Sequence, residues 1–320
     1  MSAEDRKKRR KQRRKERNRR RAESHPAHPR FWPTWVGLGL LRLMAFVPIP
    51  VLGAVADGLG TLGWALMPGR RHVVRVNLAT AFPEKPEAER RRLERGAFRA
   101  GLRGGVEGAL SWWASERRLA RRYTIEGLEH LEAAREQGKG ILLLGGHYTT
   151  LEISGRLLRR HVPDLYPTYK AATNPVFDRV MVNQRKKLFA GLPESRDMRA
   201  MLRAFKREGV VWYAPDQDFG RKRSVFAPFM GTLAATVPMT GRIAKTSGAP
   251  VVPLYSERRP GNRWHLRLAP ALEDFPTGDD VEDATRINAA IEEEVRRTPD
   301  QYLWLHARYR TRPKGEPPIY

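Results

Sequence analysis

The sequence predicts an α/β protein built on a mostly parallel sheet flanked by helices, with an N-terminal membrane-associated helical segment. Three observations predict it. From Tyr123 onward, short apolar runs alternate with amphipathic helical stretches, the pattern that lays down a parallel sheet. Residues 31–67 are strongly apolar and carry only Arg42 and Asp57 as charges. Residues 1–30 are the reverse, with 14 Lys and Arg against 4 acids. The chain therefore divides into a basic arm at 1–30, a hydrophobic anchor at 31–67 and a folded body at 68–320.

At 320 residues the chain can bury a sizeable core as one large domain or two small ones. It contains no Cys, which excludes disulfides, Cys-ligated zinc, iron–sulfur clusters and thiol nucleophiles. The net charge of +25 and pI near 11.0 point to an anionic partner: nucleic acid, an acidic membrane surface, or an acidic protein or phosphate-bearing substrate. The arm alone does not account for this, because residues 31–320 still hold 46 Lys and Arg against 31 acids.

The arm has no apolar periodicity, and its like charges repel, so it reads as disordered or membrane-adsorbed. In the anchor, Trp35 to Ala56 is 22 residues, close to the roughly 20 that span a hydrocarbon core. Trp32 and Trp35 stand where interfacial aromatics would. Arg42, Pro48 and Pro50 count against an uninterrupted span. Two readings stay open: an anchor that spans or re-enters, and a buried hydrophobic hairpin of a soluble domain. A cleaved signal peptide fits badly, because the basic region is too long. Thirteen Lys and Arg before residue 22 would hold the N-terminus in the cytoplasm. A span would then carry the body outside, against Arg70-Arg71, so a re-entrant or surface-lying anchor with a cytoplasmic body is favoured. Gly58, Gly60 and Gly63 spell G-x-G-x-x-G but lack the preceding strand of a dinucleotide site, which points to close helix packing instead.

In the body, 70–122 reads as helices with basic faces, broken near Pro83 and Pro86. Strands are expected at 140–144, 165–169, 210–213, 251–256 and 264–268. Helices are expected at 149–160, 175–188, 197–207, 237–246 and 280–297, the last long and amphipathic.

The sharpest chemical constellation is Gly145-Gly146-His147-Tyr148-Thr149-Thr150-Leu151-Glu152, directly after a strand, at the end where open α/β sheets place ligands. Gly145 and Gly146 permit a tight turn with exposed N–H groups, as an oxyanion site or phosphate cradle requires. Histidine is the side-chain type suited to general-base chemistry at physiological pH, and His147 is the one this stretch supplies. Five positions along one helix is about 140° of rotation, a poor pairing geometry. A His147 in the preceding loop can instead fold back onto Glu152, which would fix its tautomer. The plainer alternative is a capping His with Glu152 exposed. No G-x-S-x-G elbow is present, so the nucleophile would be a substrate hydroxyl. No metal-ligand spacing is evident either. A second constellation, Asp216-Gln217-Asp218, also follows a strand and can bind hydroxyls or a cation, orient an Arg, or simply form a turn. Arg221-Lys222-Arg223 beside it suits a phosphate or an acidic carrier protein, or is a solvated loop.

These pieces together resemble the lipid A biosynthesis acyltransferases, the Kdo-dependent lauroyl, palmitoleoyl and myristoyl transferases within the His-x4-Asp/Glu acyltransferases. The resemblance covers roughly 32–320. It is most specific at 145–152 (GGHYTTLE), at 210–220 (VVWYAPDQDFG) with 224–231 (SVFAPFMG), and at 301–320 (QYLWLHARYRTRPKGEPPIY), with 75–84 (RVNLATAFPE) as an N-terminal signature. It implies a glycerol-phosphate-acyltransferase-like fold over 68–320 and an enzyme of lipopolysaccharide biosynthesis. The reaction implied is transfer of a fatty acyl chain from acyl carrier protein to a hydroxyl of a Kdo2-lipid IVA type precursor, at the cytoplasmic face of the inner membrane. His147 is then the base and Glu152 its partner, with no cofactor, metal or covalent acyl-enzyme. An Arg used by some members has Arg196-Asp197 as its nearest candidate. The implied partners are acyl carrier protein, the lipid A precursor and membrane lipids. Two other readings remain: the same chemistry on another glycolipid or a lysophospholipid, and a basic membrane- or nucleic-acid-binding protein without catalysis. No helix-turn-helix or RNA-recognition signature supports nucleic acid.

Overall fold

In the computed structural model, residues 26–320 are described. The basic arm therefore lies outside the described residues except for 26–30. Among the described residues the helices are α1 (Trp32–Met44), α2 (Ile49–Leu66), α3 (Pro68–Ala81), α4 (Glu87–Trp113), α5 (Glu116–Leu119), α6 (Leu128–Arg135), α7 (Leu151–Leu158), α8 (Pro175–Lys186), α9 (Met198–Phe205), α10 (Met239–Ser247) and α11 (Asp280–Arg297). The strands are β1 (Tyr123–Glu126), β2 (Ile141–Leu144), β3 (Leu165–Pro167), β4 (Val210–Tyr213), β5 (Val225–Phe229), β6 (Thr232–Thr236), β7 (Val251–Arg259) and β8 (Arg263–Leu268).

The main sheet has the order β1-β8-β7-β2-β4-β3, parallel throughout except for the antiparallel β7–β8 pair. This is the mixed, mostly parallel sheet that the alternation of apolar runs predicts. β2 is paired on both sides and buried along its whole length, which is why it is a continuous Ile-Leu-Leu-Leu run rather than an alternating one. Its side chains still alternate between two cores. Leu142 and Leu144 join Phe205, Ile243, Ile287 and Ile291 on one face; Ile141 and Leu143 join Leu110, Leu131, Ile153 and Leu157 on the other. Each such fully buried side chain stabilises the fold by roughly 1.5–3 kcal/mol.

The sequence gives no strand between 213 and 251, yet β5 and β6 form an antiparallel hairpin there, turning at Met230-Gly231. Pro228 within the first arm and the exposed Gly231 mask its strand pattern. β1 and α6, in the stretch after Tyr123, likewise have no strong sequence pattern of their own.

The apolar segment is not one helix. Pro48 and Pro50 divide it, and 35–56 therefore does not form the single span its length suggests. α1 is 13 residues, about 20 Å at 1.5 Å per residue, too short to cross the roughly 30 Å hydrocarbon core. α2, with 18 residues, is long and apolar enough to cross. It nevertheless packs along α4 through a narrow face of Leu52, Gly53, Ala56 and Gly60. Its lone acid, Asp57, meets Arg103 of α4 at 2.5 Å. The opposite face of the same helix, Val51, Val55, Leu59, Leu62 and Leu66, is apolar and exposed.

Gly60 is the point of closest approach. A Cβ there would lie 2.6 Å from the Arg99 Cα, whereas one at Gly58 would meet nothing within 4 Å. The G-x-G-x-x-G match thus belongs to helix packing, through Gly60. We expect Gly60→Ala to cost about 1–3 kcal/mol by overpacking. Gly58→Ala should be neutral or stabilising by about 0.5–1 kcal/mol, since Ala is the better helix former. Thermal melts of the two variants in detergent check the contrast, and equal melting temperatures would contradict it.

Candidate active site

β2 and β4 run parallel and end together, with Leu144 opposite Tyr213. The loops that leave them, 145–150 and 214–220, therefore start side by side. The first link is Gly145 N–H to the Tyr213 carbonyl, 3.0 Å. The second is Asp216, which accepts twice from one residue: the His147 backbone N–H on Oδ2 at 2.8 Å and the His147 Nδ1 on Oδ1 at 2.6 Å. Asp216 is 0% exposed. Burial works to raise its carboxyl, but the adjacent His147, through charge and both hydrogen bonds, and the more distant Arg308 hold it well below the usual carboxylate range. A carboxylate at this place makes Nδ1 the donor and leaves Nε2 with its lone pair, the tautomer a general base needs. The His147 side chain is 24% exposed, so the ring is sheltered but reachable.

The rest of the loop is clamped by the C-terminal segment. Leu303 N–H donates to the His147 carbonyl at 3.0 Å, Thr149 N–H donates to the Gln301 carbonyl at 2.7 Å, and Tyr148 bridges Tyr302. Both glycines are required by close approach. A Cβ on Gly145 would sit 2.2 Å from Trp212 Nε1, and one on Gly146 2.8 Å from Tyr148 Cζ. The Gly145 N–H is engaged by Tyr213, so the expected exposed pair of N–H donors is not available at that position.

Glu152 lies in the first turn of α7 and faces elsewhere. Its Oε1 accepts from Arg185 Nε at 3.0 Å and Trp112 Nε1 at 2.6 Å, and its Oε2 meets Arg185 Nη2 at 2.5 Å. The expected closure of the His147 ring onto Glu152 is therefore not the pairing made here. The reason is the parallel register, which delivers Asp216 to His147 before the chain turns into α7. Glu152 and Arg185 instead line a narrow, mostly apolar cleft with Gly155, Leu158, Phe189 and Trp212, holding about 40 Å³ of free space.

Of the remaining expected residues, Asp218 is bound to the C-terminal segment, with Oδ2 accepting from Thr311 N at 2.7 Å and Oδ1 from Thr311 Oγ1 at 2.8 Å. Gln217 between the two carboxylates is half-buried. Asp197 caps α9 by accepting from Ala200 N at 2.9 Å. Arg196 is exposed and lines a separate basic cleft. The Arg that reaches the site is Arg185, which the run Arg185-Lys186-Lys187 disguises as part of a solvated basic face. The signal was periodicity, since Arg185 stands four positions after the buried Met181, on the inward face of α8.

Residues 20–311 match the family described as bacterial lipid A biosynthesis acyltransferase. The chain is 37% identical over 295 residues to the lipid A biosynthesis lauroyltransferase of Escherichia coli (strain K12), covering 92% of this chain and 96% of that one. The chain belongs to the bacterial lipid A biosynthesis acyltransferase family. Further members of this family that it resembles are the palmitoleoyltransferase of the same organism, at 34% identity with 92% and 96% coverage, and its myristoyltransferase, at 28% with 90% of each chain covered. The lipid A acyltransferase resemblance read from the motifs is thus borne out, and the protein is an acyltransferase.

In this acyltransferase the C-terminal segment also brings a second histidine to the site. His306 Nε2 accepts from Asp218 N–H at 3.0 Å, and burial pushes its imidazole down to about 4. In the unfolded chain a His titrates near 6.5. Between those values the unfolded state binds the extra proton, so His306 removes stability as pH falls from about 6.5 to 4. We expect His306→Gln, which keeps an acceptor for Asp218, to flatten that decline relative to the parent chain. Urea unfolding at pH 7, 6, 5 and 4.5 checks it, and parallel curves for the two proteins would contradict it.

Proposed function

We propose that this acyltransferase moves a fatty acyl chain from acyl carrier protein to a hydroxyl of a lipid A precursor of the Kdo2-lipid IVA type, at the cytoplasmic face of the inner membrane. The observation that carries the chemistry is the His147–Asp216 pair at the end of β2 and β4. The acceptor hydroxyl lies against His147 Nε2, which takes its proton as the oxygen attacks the thioester carbonyl. The new ester C–O bond forms, the C–S bond breaks, and the proton passes from the imidazolium to the departing thiolate. Asp216 holds the ring in the donating-Nδ1 tautomer and offsets the imidazolium charge. Transfer is direct, without an acyl-enzyme. Glu152 is the second carboxylate of the site, braced by Arg185 and Trp112 at the cleft whose apolar walls suit the start of an acyl chain.

The relatives' names support the substrates: lauroyl, palmitoleoyl and myristoyl transfer in lipid A biosynthesis. The charge supports them too, because acyl carrier protein and a phosphorylated acceptor are both anionic and a body at +15 attracts both. The membrane address rests on the exposed apolar faces of α1 and α2. Trp32 is 62% exposed, Leu43 64% and Phe46 71%, far from what a soluble surface leaves in one patch.

His147→Ala and Asp216→Asn are expected to lower kcat on the order of 10²–10⁴-fold while the fold is kept, the second by permitting the wrong tautomer. Acyl transfer with purified carrier thioester measures this, and full turnover in either variant overturns the pair. Glu152→Gln separates the two carboxylates. If Asp216 is the partner of His147, only Asp216→Asn shifts the limb of the kcat/KM–pH profile belonging to the base. In a second test, Leu40→Glu, Leu43→Glu and Phe46→Glu together should weaken binding to vesicles of phosphatidylethanolamine and phosphatidylglycerol. Sedimentation with those vesicles reads the loss.

A further inference from the structure

A cleft of about 430 Å³ opens where β4 ends, and Tyr213, the last residue of that strand, forms part of its wall. Its rim carries Arg196, Lys222, Arg223 and Arg242, with the Ser195 hydroxyl among them. Arg242 is paired with Asp280 at 2.6 Å. Among the described residues Arg196, Lys222 and Arg223 have no acidic partner. Nearby acids are engaged elsewhere: Asp197 caps its helix, and Asp218 holds Thr311. Three unpaired cations facing one space repel each other, and a group of more than one negative charge relieves this better than a carboxylate. The planar guanidinium forks match phosphate oxygens in pairs. The remaining wall, Phe219, Pro238 and Met239, is apolar and suits the carbon skeleton that carries such a group. Phe219 is three residues past Asp216, so one loop holds both the His147 partner and a wall of this cleft.

We propose that this cleft is a phosphate-ester subsite, seating a phosphate group of one of the two substrates while His147 faces the reacting hydroxyl. Anion binding there stands on the cleft alone; its role in transfer rests on the acyl-transfer reading given above. Two sources offer the chemistry, a phosphate on the acceptor glycolipid and the phosphodiester of the carrier's prosthetic arm.

The full chain in detergent is titrated with inorganic phosphate at low salt by calorimetry. Saturable binding is expected, weakened about tenfold or more in Arg196→Ser/Arg223→Ser, because each change removes charged hydrogen-bond donors to the anion. Arg196→Lys/Arg223→Lys should recover part of it. Absence of saturable binding in the parent chain, or equal binding in the Ser pair, overturns the subsite. Lys222→Ser gives the same reading if the Ser pair fails to fold. The kinetic arm then names the source. A rise in KM for the acceptor alone, with kcat held, assigns the acceptor's phosphate; a rise in KM for the carrier thioester alone assigns the prosthetic arm. Unchanged KM for both substrates overturns the role in transfer. A parent chain that transfers no acyl group at all counts against the acyl-transfer reading, while the calorimetry still decides the anion site.

Discussion

Asp216 accepts two hydrogen bonds from a single residue, and much of the surrounding architecture exists to make that possible. A buried carboxylate is costly unless its oxygens are satisfied. Here both are satisfied by the backbone and the ring of His147, so the loop after β2 cannot move without exposing that cost. The geometry in turn demands that β2 and β4 be neighbours, parallel and ending together. The all-apolar Ile-Leu-Leu-Leu of β2 and the Gly145 that admits Trp212 are the local consequences of that demand.

The two ends of the chain are joined at the same place. Asn77, in the middle of α3 and fully buried, donates to the carbonyls of Trp304 and His306, both at 2.8 Å, and accepts from the Tyr320 hydroxyl at 2.5 Å. Residues 301–303 then clamp the His147 loop, and Thr311 takes up Asp218. The motif segments 75–84 and 301–320, far apart in sequence, are thus one structural unit behind the site. His306 is neutral and Asp218 occupied because both belong to that unit, not to a substrate.

What could be read directly from the residues follows a physical rule. Local pattern was legible: α11 runs over the span its amphipathic period predicts, β2 and β4 stand where their apolar runs place them, and His147 lies in the loop after a strand as its glycines suggest. Pairing across the sheet was not. The sequence offers Glu152 five positions from His147 and Asp216 sixty-nine positions away, and only strand order and register make the distant one the neighbour. Arg185 was hidden because three consecutive cations look like a solvated face, and its inward direction depends on helical phase. Arg196 faces a basic cleft together with Lys222 and Arg223, a grouping that again depends on the fold and not on local pattern. The length of the apolar segment suggested one span, but two prolines decided its shape.

The 27-residue helix α4 touches both the apolar N-terminal helices and the site loop. It receives α2 along its middle, where Gly60 meets Arg99 and Asp57 meets Arg103; one residue on, Gly104 approaches so near the site loop that a Cβ would lie 2.3 Å from the Thr149 carbonyl, and Trp112 at its end holds Glu152. At 1.5 Å per residue this is a rod of about 40 Å, and its contacts with α2 and with the site loop adjoin one another at Arg103 and Gly104. If α1 and α2 rest on lipid, the depth of the reacting groups relative to the bilayer is set by a rigid strut rather than by a hinge. The enzyme then has a built-in height gauge, and a substrate hydroxyl must present itself at one level above the membrane to be acylated.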